Sequence, residues 1–245
     1  MLTKSRQKGL SLVEAMIALT IGLFLLTGLV TFVTDSLSAN ENRLKMARLN
    51  QELRATMTLM AREIRRAGFW GSPSFALGPL GNMGAGTTYV NPFMAPITIT
   101  SGSSTTTTYG GVYVPPSSTP GCILFSYDAN GNGVLDTSNP DERYGFLLND
   151  GVVYMRTGIG ATLNDCTTSS GNAWGALTNG SDVYYQTLTF SGPASTVVYV
   201  NGSSGPNIQV RYVTITLTGQ SKSDSSIQQT LTETVKLEND LFSAN

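Results

Sequence analysis

Three sets of residues in this chain have the types and spacing to do chemistry. The first is a single acid, Glu14, set in an apolar run. From Ala15 to Val33 there are 19 residues without a charge, and from Leu10 there are 24 with Glu14 the sole ionisable group. A carboxylate in the first turns of a membrane-length helix is costly unless something neutralises it. A cut after Gly9 would make Leu10 a new N-terminus. Its amine would lie near Glu14 in sequence, and nearer still to Glu14 of a staggered neighbour. A carboxylate snorkelling to the membrane interface is the other reading.

The second set is an acid and amide series. Asp128, Asn130, Asn132 and Asp136 stand at the first, third, fifth and ninth places of a calcium-loop pattern, with Gly133 at the sixth. The Val134 carbonyl would complete those five oxygen donors. The twelfth place holds Asn139 where the pattern wants Glu, although Asp141 and Glu142 follow closely. Calcium is thus one expectation. The other is an Asn/Gly-rich turn whose side chains bond their own backbone. The third set is Cys122 and Cys166, the only two cysteines. In an oxidising compartment such a pair forms a disulfide; two separate thiols are the alternative. The chain has no histidine, which excludes histidine triads, histidine acid-base chemistry and the usual zinc sites. No catalytic constellation emerges, so the reading is a structural protein, not an enzyme.

The elements that must position these residues begin with the apolar run. About 20 apolar residues cross a hydrocarbon core as a helix, at ~1.5 Å per residue. Lys4, Arg6 and Lys8 precede it and no acid does. That bias places the N-terminus in the cytoplasm and the chain beyond about residue 34 outside. A secretory signal has a shorter apolar region and a small-x-small cleavage site. An uncleaved single-span anchor remains a further alternative.

Beyond the run, Met46, Leu49, Leu53, Met57, Met60, Ile64 and Ala67 recur every three or four residues, one stripe on a helix. Burial under the chain's own sheet is expected for that stripe, with a coiled-coil seam as the alternative. Asn42, Lys45, Arg48, Glu52, Arg54, Arg62, Glu63 and Arg66 fill the solvated remainder, and Gly68 is the expected C-terminal cap. Residues 68–121 read as a loop region with short β-prone runs at Pro96–Thr100 and Gly111–Val114. Thr105–Thr108 suits an exposed loop, and Phe69 and Trp70 are expected to pack under the head. Strands are expected at Cys122–Tyr127, Glu142–Leu148 and Val152–Arg156, the last two joined by the turn Asn149-Asp150-Gly151. Further strands are expected at Val183–Phe190, Ser195–Val200, Ile208–Leu217 and Gln228–Leu237, with SKSDSS as a turn. Residues 1–68 carry net charge +5 and residues 69–245 net −6, so the outer part is acidic and no nucleic-acid partner is expected.

Lys8-Gly9-Leu10-Ser11-Leu12-Val13-Glu14 resembles the prepilin signal of type IV pilins and pseudopilins. Leu10 departs from the commonest first residue of that motif, Phe, but stays apolar. VRYVTITLTG with TETVKLEND, and the YDANGNGVLD and ERYGF block, are similar to PilW-like minor pilins; the C-terminal hairpin is also similar to pseudopilin J. The resemblance implies an α+β pilin-like fold, a long N-terminal membrane-spanning helix packed on a β-rich globular head. It divides the chain into a leader at 1–9, a helix at 10–67 (membrane-spanning over 10–33, amphipathic over 34–67) and a head at 68–245. It implies cleavage between Gly9 and Leu10 by a prepilin peptidase, N-methylation of Leu10 and assembly through Glu14.

The expected function is that of a minor pilin in a priming complex at the pilus tip, supporting motility, adhesion or DNA uptake. The expected partners are other minor and major pilins, the inner-membrane assembly platform, a tip adhesin and the lipid membrane. A pseudopilin J of type II secretion is the nearest rival. A membrane-anchored periplasmic calcium- or sugar-binding domain is a rival of another class.

Overall fold

The computed structural model describes residues 11–71, 91–94, 97–101, 104–108, 111–114, 121–136, 142–157, 166, 168, 174–199 and 207–243. One α-helix, α1, runs Leu12–Arg65, and a 3-10 turn at Pro92–Met94 and eleven strands follow it among the described residues. The chain divides into two compact units, Met1–Ala47 and Arg48–Asn245.

In the first unit, α1 carries no charge from Ala15 to Val33. Its large side chains from Leu12 to Val33 are all exposed, and this stretch is long and apolar enough to cross a membrane. Such a helix must satisfy its own polar groups. It does so locally: the hydroxyls of Thr20, Thr27, Thr31 and Thr34 donate to carbonyls three or four residues back, those of Ile17, Leu23, Thr27 and Val30. The first charge pair along α1 is Lys45 with Glu41, at 2.7 Å.

In the second unit, the expected stripe is the buried face of α1. Leu49, Leu53, Met57, Met60, Ile64 and Ala67 are buried, and Met46, in the first unit, is half-buried. The helix closes with three-residue turns, Arg66 and Ala67 donating to the Glu63 and Ile64 carbonyls. Gly68 follows at φ 78°, the left-handed conformation expected of a cap residue.

Five strands form one antiparallel sheet in the order β3 (Val112–Tyr113), β4 (Cys122–Ser126), β5 (Arg143–Asn149), β6 (Val152–Arg156) and β7 (Trp174–Ala176). The β5–β6 turn has Asp150 at φ 46° and Gly151 at φ 73°, the two left-handed positions that an Asp-Gly hairpin supplies. A second sheet is built on β9 (Asn207–Ser221). β8 (Val183–Tyr199) flanks one side of it, and β10 (Asp224–Lys236) and β11 (Leu241–Ser243) flank the other. Val213, Ile215 and Leu217 of β9 are fully buried while Thr214, Thr216 and Thr218 alternate with them. The buried hydroxyls of Thr56 on α1 and Tyr185 on β8 meet at 3.0 Å, so α1 lies against this sheet. A separate hairpin pairs β1 (Ile97–Ser101) with β2 (Ser104–Thr108).

The expected α+β class and long apolar helix are therefore present. Several local readings change. Ser191-Gly192-Pro193 is a bulge within one long strand and not a turn between two. Four residues on β8, Ser191 to Ala194, face three on β9, Thr214 to Tyr212, so Gly192 and Pro193 oppose Val213 alone. Gly192 takes φ 120° to absorb the extra residue. Thr105–Thr108 is a strand, in keeping with the β preference of threonine. SKSDSS is tighter than expected, because β9 runs to Ser221 and β10 restarts at Asp224.

Candidate functional site: the helix start and the Asp128 loop

Gly9 and Leu10, the expected cleavage pair, lie outside the described residues. Glu14 is on the first turn of α1 and is exposed. The carbonyl of Ser11 accepts the first helical bond, from Ala15, which makes Ser11 the cap residue and places Glu14 three positions later. Ser-x-x-Glu is the spacing of a capping box, a signal the sequence reading passed over. An acid there also faces the positive end of the helix dipole, which offsets part of its cost in an apolar segment.

The Asp128 loop sits at the other end of α1. Asp128 is 1% exposed, and its carboxylate accepts three backbone bonds. Oδ1 takes Gly131 N at 2.6 Å, and Oδ2 takes Gly133 N at 2.8 Å and Gly71 N at 3.0 Å. Asn130 Oδ1 accepts from Asn132 N, and Asn132 Oδ1 accepts from Val134 N. The amide groups of Asn130 and Asn132 both donate to Asp136 Oδ2, at 2.8 and 2.9 Å. Glu142, fully buried, holds the loop from beneath: Oε1 accepts from Ala129 N and Oε2 from Asp136 N.

A calcium ion would take Asp128, Asn130, Asn132, the Val134 carbonyl and Asp136. As folded, two amide NH2 groups give Asp136 the positive partners a cation would provide, and Glu142 is spent on backbone donors. No group of three or more acidic or cysteine side chains is gathered for a metal among the described residues. Asn139 and Asp141, the other expected contributors, lie outside those residues. The arrangement fits the turn reading directly, and it fits calcium only if the two amides rotate.

What the loop does is fasten the end of α1. Asp128 N donates to the Phe69 carbonyl, Trp70 Nε1 donates to the Gly133 carbonyl at 3.0 Å, and Gly71 is held by Asp128. Phe69 is not packed under the head as expected; it is 42% exposed and contributes its backbone instead.

One turn earlier, Glu63 was expected on the solvated face and is buried. Tyr127 donates to its Oε2 at 2.7 Å, and Arg62 pairs with Oε1 at 2.9 Å. Arg66 lies over the Tyr127 ring at 4.0 Å, and that ring stacks on Tyr144 at 4.1 Å. Burial first, then the bond to Glu63, raises the Tyr127 phenol far above its ordinary range. Nothing in the spacing of Glu63 told it apart from the solvated residues; its partner is 64 residues away.

Cys122 and Cys166 are joined as a disulfide. The bond lies among Tyr113, Leu124 and Leu147, with Tyr154 and Trp174 packed against them.

Two family models match the chain. The prokaryotic N-terminal methylation motif matches residues 4–30, which include Gly9, Leu10 and Glu14. The model of the family described as prepilin peptidase-dependent protein B matches residues 42–237, most of the chain. The chain belongs to the prepilin peptidase-dependent protein B family. No curated protein and no solved structure matches it. Membership in that family, with the methylation motif, makes this a type IV pilin-like protein, a substrate of a prepilin peptidase with pilin-type assembly.

Proposed function

We propose that the chain is a minor pilin of a type IV pilus, most like PilW, acting in the complex that primes assembly and stays at the tip. In this reading the leader 1–9 is cytoplasmic and removed at Gly9, Leu10 is methylated, and the head is exported. The observation that supports it most is the first part of α1. Every large apolar side chain from Leu12 to Val33 is exposed, with Glu14 the one acid, at the start of that surface. Lipid would cover such a surface before assembly, and the helices of other pilins would cover it afterwards. The role is structural, with the assembly platform, major pilins and a tip adhesin as partners.

A pair of variants tests this. Gly9→Ala should leave the leader attached. Glu14→Ala should be processed and membrane-inserted but lost from sheared filaments. A plain membrane anchor carrying a calcium- or sugar-binding domain would tolerate Glu14→Ala. A pseudopilin J would restore protein secretion, and not piliation, to a strain lacking the chain.

A further inference from the structure

Four asparagines stand directly before a glycine, at positions 130, 132, 179 and 201, and the last lies outside the described residues. This step is the one most open to loss of the side-chain amide, because glycine puts no side chain in the way of its own nitrogen. Asn130, Asn132 and Asn179 are all exposed. Each carboxamide oxygen also accepts from the backbone N–H two residues on, those of Asn132, Val134 and Ser181. The three differ at the nitrogens that would react. The N–H groups of Gly131 and Gly133 point at the Asp128 carboxylate, at 2.6 and 2.8 Å, and the side-chain amides of Asn130 and Asn132 donate to Asp136. Among the described residues no acceptor holds the Gly180 N–H or the Asn179 side-chain amide. Instead, the Ser181 hydroxyl gives the Asn179 carbonyl oxygen a second donor, at 3.0 Å, which polarises the carboxamide carbon.

We propose that Asn179 is a modification site, deamidated by its own backbone and water in the folded head, while the Asp128 loop holds Asn130 and Asn132 as asparagine. The Gly180 nitrogen gives up its proton and bonds to Asn179 Cγ. The bond from Cγ to the side-chain nitrogen breaks, and that nitrogen takes up a proton and leaves as ammonia. Water then opens the cyclic imide at either carbonyl, giving aspartate at 179 or the isoaspartate whose main chain runs through the side-chain carboxyl. The electron pair left on an attacking nitrogen lies along its former N–H. At Gly131 and Gly133 that direction is taken by Asp128, so attack there requires the loop to open first. The product places a carboxylate on the wall of a 340 Å³ cleft that Asn179 shares with Glu52, Thr56, Leu59 and Leu177. Burial first, then Asp182, already disfavours the charged form of Glu52, so the new charge repels it across the cleft. The isoaspartate form also lengthens the main chain by one carbon between β7 and β8. This chemistry belongs to the head and is independent of filament assembly.

The test is the rate of conversion at each site in the full detergent-solubilised chain at neutral pH, folded and in urea. Digestion in mild acid halts further loss, and fragment masses assign each site as asparagine, aspartate or isoaspartate. In urea the three sites should convert at similar rates, since the dipeptide is the same. Having to free one N–H from a carboxylate before attack slows a reaction by about ten- to a hundredfold. Folding should therefore slow Asn130 and Asn132 by at least that range and leave Asn179 close to its unfolded rate. Ser181→Ala should slow Asn179 and leave the other two unchanged. The proposal is overturned if folding slows Asn179 as much as the other two, or if Asn130 or Asn132 converts first in the folded chain. Asn179→Asp carries the product from the start. It should lower the melting temperature, and lower it less when combined with Glu52→Gln; an equal fall in both backgrounds would overturn the repulsion across the cleft.

Discussion

Replacing both Cys122 and Cys166 by Ala should cost the head a large share of its stability. The bond spans 44 residues of sequence. Releasing a loop of that size returns to the unfolded chain an entropy worth about 4 kcal/mol in the loop-closure treatment. For proteins of roughly 150–250 residues, each kcal/mol moves the melting temperature by about 2–4 °C, so the expected fall is about 8–16 °C. A packing effect is superimposed, because Cys122 is 2% exposed and lies against Tyr113, Leu124 and Leu147. Removing its buried sulfur should add about 1 kcal/mol. The reduced wild-type chain keeps both sulfurs, so comparing it with the double variant separates constraint from packing. Urea unfolding of the detergent-solubilised chain, followed by near-ultraviolet circular dichroism, is the assay. The slope against urea should also rise, since the released chain exposes more surface on unfolding. If the reduced chain loses less than about 1 kcal/mol, the linkage is not what holds residue 166 to the core, and the reasoning fails.

Three further outcomes follow from the end of α1 and the core. Glu63→Ala should cost about 2–3 kcal/mol in urea unfolding, below the ~3–5 of a fully buried pair because Arg62 and Arg66 keep access to water. Tyr127→Phe should cost about 1 kcal/mol, and the double variant less than the sum, because both remove the same bond. For the Asp128 loop, the melting temperature should be the same in millimolar calcium and in chelator. A calcium-dependent rise abolished by Asp136→Ala would show that Asn130 and Asn132 turn their oxygens to an ion. At high pH, Tyr185 should contribute to unfolding. Burial pushes its phenol up to about 12, whereas an unfolded phenol ionises near 10. Its contribution is whole below about pH 10 and lost as pH rises towards 12. Tyr127 adds to the same loss, and Tyr185→Phe should flatten it in a pH series of melts.

Most of the scaffold was legible because its signals are local. The stripe from Met46 to Ala67 follows helical spacing, Asn149-Asp150-Gly151 specifies its own turn, and two cysteines leave one possible intramolecular pairing. What escaped was set by distant partners. Glu63 looks like any helix acid until Tyr127 meets it. Ser191-Gly192-Pro193 looks like a turn until β9 pairs along both sides of it and turns it into a bulge. Trp174–Ala176 and Leu241–Ser243 are three-residue strands, too short to show an alternation, and exist through β6 and β9. At the helix start the motif was legible from Gly9 to Glu14, because each part of it needs only a few neighbouring residues. At the Asp128 loop the residue types were legible but their employment was not. Their donors include Gly71, 57 residues away.

The central claim is that this chain is a processed filament subunit. The most direct test is intact-mass and N-terminal analysis of the chain recovered from sheared filaments. The expected chain begins at Leu10 and carries one extra methyl group. A chain found only in membranes, with residues 1–9 still attached, would contradict it.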